Sequence, residues 1–220
     1  MSLESRKAAH LSDPGGELIE NLTGFWDRNQ RIILGVGVAV VVIGGGAFFT
    51  LRSRATQEEA AAGKLAEADV LFWQGDYARS QQIAKQVAQD FGGTPSGVDA
   101  HRLAGDAAYW SGDFKTASTE YEQYLAHEKN GLLANAARRS LAYAYESSLQ
   151  FAKAVPLYDQ LVGQFDRESS AEFLMAAARC QVQLKQPAEA LKRLKRIEDE
   201  FGDATVAMRA REMIGELGGH

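Results

Sequence analysis

The chain repeats itself at a helical period over most of its length, and this repetition limits the folds that are open to it. The tripeptide Gly-Asp-Tyr at 75–77 returns as Gly-Asp-Phe at 112–114, and the same register continues at 149–151 and 185–187. The intervals are 37, 37 and 36 residues. Apolar residues between these points recur at helical spacing, and self-similarity with a period of about 20–50 residues is typical of stacked structural repeats.

Small residues recur at fixed distances from each turn, seven positions before it and five positions after it. A small residue on each of two facing helices lets the backbones approach, and larger neighbours fill the adjoining space. Ser80 occupies this kind of position in the first repeat. The residues predicted to pack the repeats are Ala68, Gly105, Ala117, Tyr121, Ala142, Ala154, Tyr158, Ala178 and Ala190.

This pattern resembles the tetratricopeptide repeat family over about 57–203. The second and third repeats carry the resemblance best, in LAGDAAYWSGDFKTASTEYEQYL and LAYAYESSLQFAKAVPLYDQL. The resemblance implies an all-α solenoid of about four helix pairs within a domain at 52–220. A final helix at about 204–217 is expected to cap the last repeat. Such a solenoid is a surface for protein partners rather than a reaction centre.

Residues 32–51 read IILGVGVAVVVIGGGAFFTL and contain no charged side chain. A helix of this length spans about 30 Å, which is the thickness of the hydrocarbon core of a bilayer. Arg31 and Arg52 lie at its two ends, where they are expected to reach the membrane interface. The sequence therefore predicts one transmembrane helix, and Gly35 and Ala39 are candidates for close packing against another helix in the bilayer.

Two further segments are predicted before the span. Residues 1–16 are expected to form a flexible tail, and residues 17–31 an amphipathic helix at the membrane interface. Phe25 and Trp26 lie just before the span, where aromatic rings favour the interface. This helix either docks on a partner or simply anchors the chain at the membrane surface. The charges on either side of the span are nearly balanced, so they do not decide its orientation.

Composition and motifs exclude several classes of function. The net charge is −5, which argues against a protein that coats nucleic acid. Cys180 is the only cysteine, so neither an intrachain disulfide nor a cysteine-rich zinc site is expected, and its helical context favours a buried structural thiol. No catalytic, phosphate-binding or metal-ligating constellation is present. We expect no enzyme activity, no cofactor and no small-molecule substrate.

Aromatic residues are numerous in the repeat region, and four of them are candidates for binding a partner in the concave groove. These are Trp73, Tyr109, Trp110 and Tyr143. Aromatic side chains are good anchors at protein interfaces. The sequence alone leaves open which aromatic residues belong to the core and which line the groove.

The order of tail, aromatic pre-membrane helix, Gly/Val-rich span and repeats is similar to the YfgM-like family, and QVQLKQPAEAL at 181–191 looks like that family's last repeat. The resemblance implies an ancillary subunit of the bacterial Sec translocon with a cytoplasmic N-terminus and periplasmic, chaperone-like repeats. Its partners would be an integral-membrane complex, exported proteins and the bilayer. The alternative is a structural accessory subunit of a large respiratory, photosynthetic or secretory membrane complex.

Overall fold

Nine α-helices and no strand follow one another in residues 14–218, the part of the chain that the computed structural model describes. The predicted all-α solenoid of four helix pairs and a capping helix is confirmed. The helices are α1 (Pro14–Trp73), α2 (Tyr77–Phe91), α3 (Pro95–Trp110), α4 (Phe114–His127), α5 (Leu132–Ser147), α6 (Phe151–Leu161), α7 (Arg167–Gln183), α8 (Pro187–Glu200) and α9 (Ala207–Glu216).

The chain divides into two compact units between residues 54 and 55. Helix α1 runs through the predicted interfacial segment 17–31 and the predicted span 32–51 without a break. By length and composition it is long and apolar enough to cross a membrane. The predicted tail at 1–16 lies outside the described residues except for 14–16, which already belong to α1. The membrane boundaries of these segments stay predictions.

The second unit is built from helix pairs that pack in chain order. The first pair joins residues 55–73 of α1 to α2, and α3–α4, α5–α6 and α7–α8 follow, with α9 against α8. In the first pair, Ala68 and Ala84 pack with Leu103 of the next repeat. The buried apolar residues form clusters along the stack, because each helix buries one face against its neighbours.

All four turns within the helix pairs have the same geometry. In the first, the N–H of Gly75 donates to the carbonyl of Phe72 at 3.0 Å and the N–H of Asp76 donates to Leu71 at 2.9 Å. This pair of bonds is the Schellman motif, which ends a helix with one residue in the left-handed conformation. Glycine is preferred at that residue because it has no Cβ, and Gly75 has φ +83°.

In the third and fourth turns this left-handed position is held by Leu149 and Lys185, each with φ +60°. The same two backbone bonds recur there, for example from the N–H of Gln150 to the carbonyl of Tyr145 at 2.8 Å. The register inferred from sequence spacing is therefore correct at turns that lack the glycine. A non-glycine residue in this conformation carries backbone strain of about 1–2 kcal/mol.

The small residues predicted to pack the repeats are buried, and Gly105 shows why size matters there. A Cβ at Gly105 would lie 2.8 Å from two ring carbons of Tyr121. The ring of Tyr121 thus fills the space that the missing side chain leaves between α3 and α4. The other buried small residues are Ala68, Ala117, Ala142, Ala154, Ala178 and Ala190.

We expect Ser80→Ala to raise the free energy of unfolding by about 1–2 kcal/mol, because burying a hydroxyl without a partner costs that much. Ser80 is fully buried, and its Oγ has no hydrogen-bond partner among the residues that the structure describes. Urea unfolding of the full chain in non-ionic detergent, followed by helical circular dichroism, measures the change. Ser118→Ala is the matched control, because the buried Ser118 hydroxyl donates to the Lys115 carbonyl at 2.9 Å. It should give no gain, and a loss of stability in Ser80→Ala would contradict the explanation.

Gly105→Ala is expected to lower the free energy of unfolding by about 1–3 kcal/mol, the usual cost of overpacking a core. The Tyr121 ring cannot retreat easily, because its hydroxyl is bonded to Asp106 at 2.7 Å. Gly63→Ala in α1 is the control, since Gly63 is exposed and a Cβ there meets nothing within 4 Å. That control should gain about 0.5–1 kcal/mol from lower backbone entropy in the unfolded chain. Equal effects in the two variants would show that the Tyr121 contact is unimportant.

Candidate partner-binding groove

A pocket of about 190 Å³ opens between the first helices of the second and third repeats. Helix α3 contributes Asp106, Tyr109 and Trp110, whose spacing of three and four residues places them on one helical face. We call this pocket the groove pocket. It is lined by Asp106, Tyr109, Trp110, Tyr121, Arg139, Ser140 and Tyr143.

Three of the four predicted partner-binding residues meet in the groove pocket. Tyr109 is half-buried, Trp110 is 63% exposed and Tyr143 is 39% exposed. Trp73 does not line this pocket; it ends α1 in the preceding repeat and is 81% exposed. The Tyr143 ring lies 6.0 Å from the buried Tyr158 ring, and burial raises the pKa of Tyr143.

Asp106 gives the groove pocket a carboxylate that is tied to the core. It accepts hydrogen bonds from the Tyr121 hydroxyl at 2.7 Å and from Arg102 at 3.0 Å. Burial raises the pKa of Asp106, and these two donors oppose the rise by stabilising the ionised form. The Arg102 guanidinium also donates a hydrogen bond to Asp99 at 2.7 Å, so the positive charge of Arg102 is shared between two carboxylates.

The next repeat contains the same kind of bond from a core tyrosine to a carboxylate. The fully buried Tyr158 donates its hydroxyl proton to Glu146, which lies near the end of α5. Glu146 is also paired with Arg179 of α7 at 3.4 Å. Burial, followed by the bond to Glu146, raises the pKa of Tyr158 well above its usual range. Tyr121 and Tyr158 therefore each hold a half-buried carboxylate from inside the core.

Six aromatic rings form a continuous row along the turns of the first two repeats, and we call them the aromatic row. Successive ring centroids, starting at Trp73, are 5.4, 5.5, 6.3, 6.4 and 5.3 Å apart. The structure thus separates the aromatic residues that the sequence left unsorted, because Tyr121, Tyr124, Tyr145 and Tyr158 are buried instead. In order, the row consists of Trp73, Phe72, Tyr77, Trp110, Tyr109 and Phe114.

Sequence reasoning missed the polar members of the groove pocket. Asp106 precedes Trp110 by four residues, and Arg139 precedes Tyr143 by four, so helical spacing alone would have placed each beside its aromatic residue. Ser140 lies on the same face of α5. Helical spacing therefore identifies Asp106 and Arg139 as members of the pocket, whereas a selection by aromatic character alone omits them.

The residues predicted to contact the membrane belong to the first unit. Phe25 and Trp26 are 56% and 47% exposed, and nearly all apolar side chains along the predicted span are also exposed. A Cβ at Gly35 would meet nothing within 4 Å, and Ala39, Arg31 and Arg52 are exposed. Their roles at the membrane stay predictions.

The contacts of Cys180 and His101 indicate that both residues have structural roles. Cys180 is buried in the core, and burial raises the pKa of its thiol to about 12. His101 lies with its Nδ1 2.8 Å from Glu120, which also pairs with Lys85 at 3.6 Å. Each group is accounted for by contacts between neighbouring helices.

Tyr121→Phe is expected to lower the free energy of unfolding by about 1–2 kcal/mol at neutral pH, because it removes a hydrogen bond to a half-buried carboxylate. The Tyr121 hydroxyl lowers the pKa of Asp106 by favouring its ionised form. Its contribution is therefore present above the pKa of Asp106 and is lost as the pH falls through that pKa. Urea unfolding at several pH values measures this convergence of variant and wild type.

Tyr143→Phe serves as the control for this measurement, because Tyr143 lines the same pocket without a hydrogen bond from its hydroxyl to a carboxylate among the described residues. It should change stability little and at no particular pH. A difference between Tyr121→Phe and wild type that stays constant with pH would contradict the role given to Asp106.

Comparison with known proteins places the fold but not a specific activity. No curated protein sequence matches the chain significantly. Two crystal structures of nearly identical TPR-like repeats from a kinesin light chain-like protein of Podosopora anserina, one of them a single-residue variant of the other, are similar to it. Each is 18% identical with a TM-score of 0.55, and the match covers 73% of this chain and 85% or 86% of the other.

At that identity the likeness concerns the fold alone. A family model described as a tetratricopeptide repeat-like domain matches residues 23–173. The matched range begins ahead of the predicted span and ends in α7. Repeats of this fold are typically non-enzymatic scaffolds for protein–protein interaction. The chain belongs to the tetratricopeptide repeat-like domain family.

Proposed function

We propose that this protein is a membrane-tethered interaction subunit that binds a protein partner in the groove pocket. The single observation that carries the proposal is the convergence of Tyr109, Trp110 and Tyr143 around a carboxylate in a concave site between two repeats. Aromatic side chains supply large contact areas at interfaces, and they dominate the binding energy when a partner buries them. The partner would be part of an integral-membrane complex or an exported protein.

Helix α1 supports the proposal that the protein is tethered to a membrane. The side chains of 32–51 are uncharged and nearly all exposed, whereas the core helix of a soluble protein buries such residues. Phe25 and Trp26 at one end suit an interface, and Arg31 and Arg52 bracket the apolar stretch. Confinement to a bilayer raises the effective concentration of partners in the same membrane. Weak groove contacts then suffice for stable association.

The resemblance to the YfgM-like family extends this proposal to a compartment and a process. It favours an inner-membrane protein of bacteria with a cytoplasmic N-terminus, periplasmic repeats and a chaperone-like or assembly role in secretion or envelope biogenesis. The family match that starts at residue 23 supports the view that span and repeats form one inherited arrangement. An accessory subunit of another large membrane complex would use the same tether and groove.

Purification of the full chain in mild detergent, with quantitative mass spectrometry of the proteins retained, tests the proposal. The double variant Tyr109→Ala/Tyr143→Ala should weaken partner retention about 30-fold or more, since loss of one interface anchor typically costs about 2 kcal/mol or more. Leu133→Ala is the matched control, because Leu133 is 63% exposed and lies outside the groove pocket. Equal retention by both variants and wild type would overturn the role of the groove.

The pattern of retained proteins separates the two forms of the proposal. One complex at fixed stoichiometry indicates a structural accessory subunit, whereas translocon components with many exported proteins indicate a chaperone-like role. Residues 55–220 expressed alone should lose membrane localisation and most partner retention. If they keep both, the tether proposal is wrong.

The periplasmic location has its own test. Arg209→Cys places a thiol at an exposed position of α9, and the native Cys180 is buried, so background labelling should be low. A membrane-impermeant maleimide should label this variant in intact spheroplasts. Labelling only after the membrane is opened would reverse the proposed orientation.

A further inference from the structure

The first two repeats carry a duplicated sequence that the fold only partly explains. Residues 69–77 read DVLFWQGDY and residues 106–114 read DAAYWSGDF. The glycine in each serves the left-handed turn, and the second aspartate caps the following helix. The tryptophan and the first aspartate of each copy have no such role in the backbone. The corresponding tryptophan positions of the later repeats hold Ser147 and Gln183.

Both tryptophans lie at the surface. Trp73 is 81% exposed and Trp110 is 63% exposed, although tryptophan is usually well buried. They belong to the aromatic row, in which the Tyr77 ring stacks on Trp110 with its centroid 6.3 Å away. Packing therefore holds the rings in place without covering them.

Cations elsewhere in the molecule already use aromatic rings, but they use other ones. Four side chains lie over rings at 4.9 to 5.6 Å, and the rings are Phe91, Phe165, Tyr145 and Phe201. Within residues 14–218, none of these contacts involves a ring of the aromatic row. Tryptophan attracts a cation more strongly than the other aromatic side chains do. Trp73 and Trp110 are therefore the rings best suited to bind a cation, and among the described residues no cationic side chain lies over them.

Each open tryptophan has an aspartate within four residues along the chain. Asp69 lies one helical turn before Trp73 on the same face, with about 5–6 Å between Cβ atoms at this spacing. Asp69 is exposed and forms no ion pair among the residues described. Asp113, three residues after Trp110, is also exposed and lacks such a pair. Hydrogen bonds from Thr116 lower the pKa of Asp113, so it stays ionised.

Most of the nearby arginine side chains are already engaged, whereas Lys115 is exposed and contributes positive charge close to Asp113. Arg79 pairs with Asp76 at 3.4 Å, and Arg102 holds Asp99 and Asp106. Arg139 of the groove pocket places its guanidinium 5.6 Å from the Phe165 ring, on the side of the next repeat. Residues 55–220 as a whole carry 24 acidic and 18 basic side chains. The acidic charge of the domain and the exposed rings of the aromatic row therefore both favour a cationic ligand.

We propose that the aromatic row binds a cationic segment of the partner protein, whose Arg or Lys side chains lie over Trp73 and Trp110 and pair with Asp69 and Asp113. The inference rests on the proposed function and names the chemistry of the partner at the edge of the same groove. Each of the first two repeats supplies one aromatic and acidic subsite. A segment with two or more basic residues engages both subsites and gains from their linkage.

A fluorescein-labelled peptide that alternates Arg with Gly is the probe, titrated against the full chain in non-ionic detergent and followed by fluorescence anisotropy. The same peptide with Gln in place of Arg is the reference. Wild type should bind the Arg peptide about ten-fold or more tightly than the Gln peptide, and added salt should weaken it. Trp73→Leu/Trp110→Leu should remove most of that difference, and Asp69→Asn should weaken the Arg peptide several-fold.

Leu133→Ala is the control and should bind both peptides as wild type does, because Leu133 is equally exposed but lies outside the row. Circular dichroism verifies that the tryptophan variants fold, which their exposure favours. Equal affinity for Arg and Gln peptides, or unchanged Arg binding in the double tryptophan variant, would overturn the inference. If wild type then still retains its native partner and Tyr109→Ala/Tyr143→Ala loses it, the proposed function stands and only the cationic chemistry is wrong.

Discussion

The contact between a buried tyrosine ring and a small residue on the facing helix sets the spacing on which this solenoid depends. Tyr121 occupies the space beside Gly105 and reaches through the helix pair to Asp106 at the groove. One side chain thus determines how closely α3 and α4 approach and where a groove carboxylate lies. In the next pair, Tyr158 likewise donates its hydroxyl proton to a carboxylate, that of Glu146. Core packing and surface chemistry are therefore coupled through single residues.

The sequence predicted the repeat fold well because repetition supplies several independent signals for the same register. The turn at 149–151 has no glycine and no aspartate, yet its distance from the earlier turns identified it. The structure gives Leu149 the same left-handed backbone and the same two hydrogen bonds as Gly75. Stacking against neighbours imposes the turn where local preference opposes it.

The residues that line the groove were harder to predict from the sequence than the fold. Exposed and buried aromatic residues look alike in a linear pattern, so the sequence did not sort the whole set into core and groove residues. Which of them is covered depends on contacts between helices that are far apart in the chain. Asp106 was missed because carboxylates are common on helix surfaces, and only its bonds to Tyr121 and Arg102 distinguish it. Membrane position cannot be derived from side-chain contacts at all, because the bilayer is not part of the chain.

The four turns differ in how much of their geometry they encode locally, and this difference bears on the order of folding. The first two have glycine at the left-handed position and an aspartate whose side chain caps the next helix through Arg79 or Thr116. The last two have Leu149 and Lys185 there and lack a side-chain cap. A helix pair whose own turn residues favour the turn is expected to form before a pair whose turn depends on packing against a neighbouring repeat. We therefore expect folding of this domain to propagate from its amino-terminal repeats, the direction in which a ribosome delivers the chain.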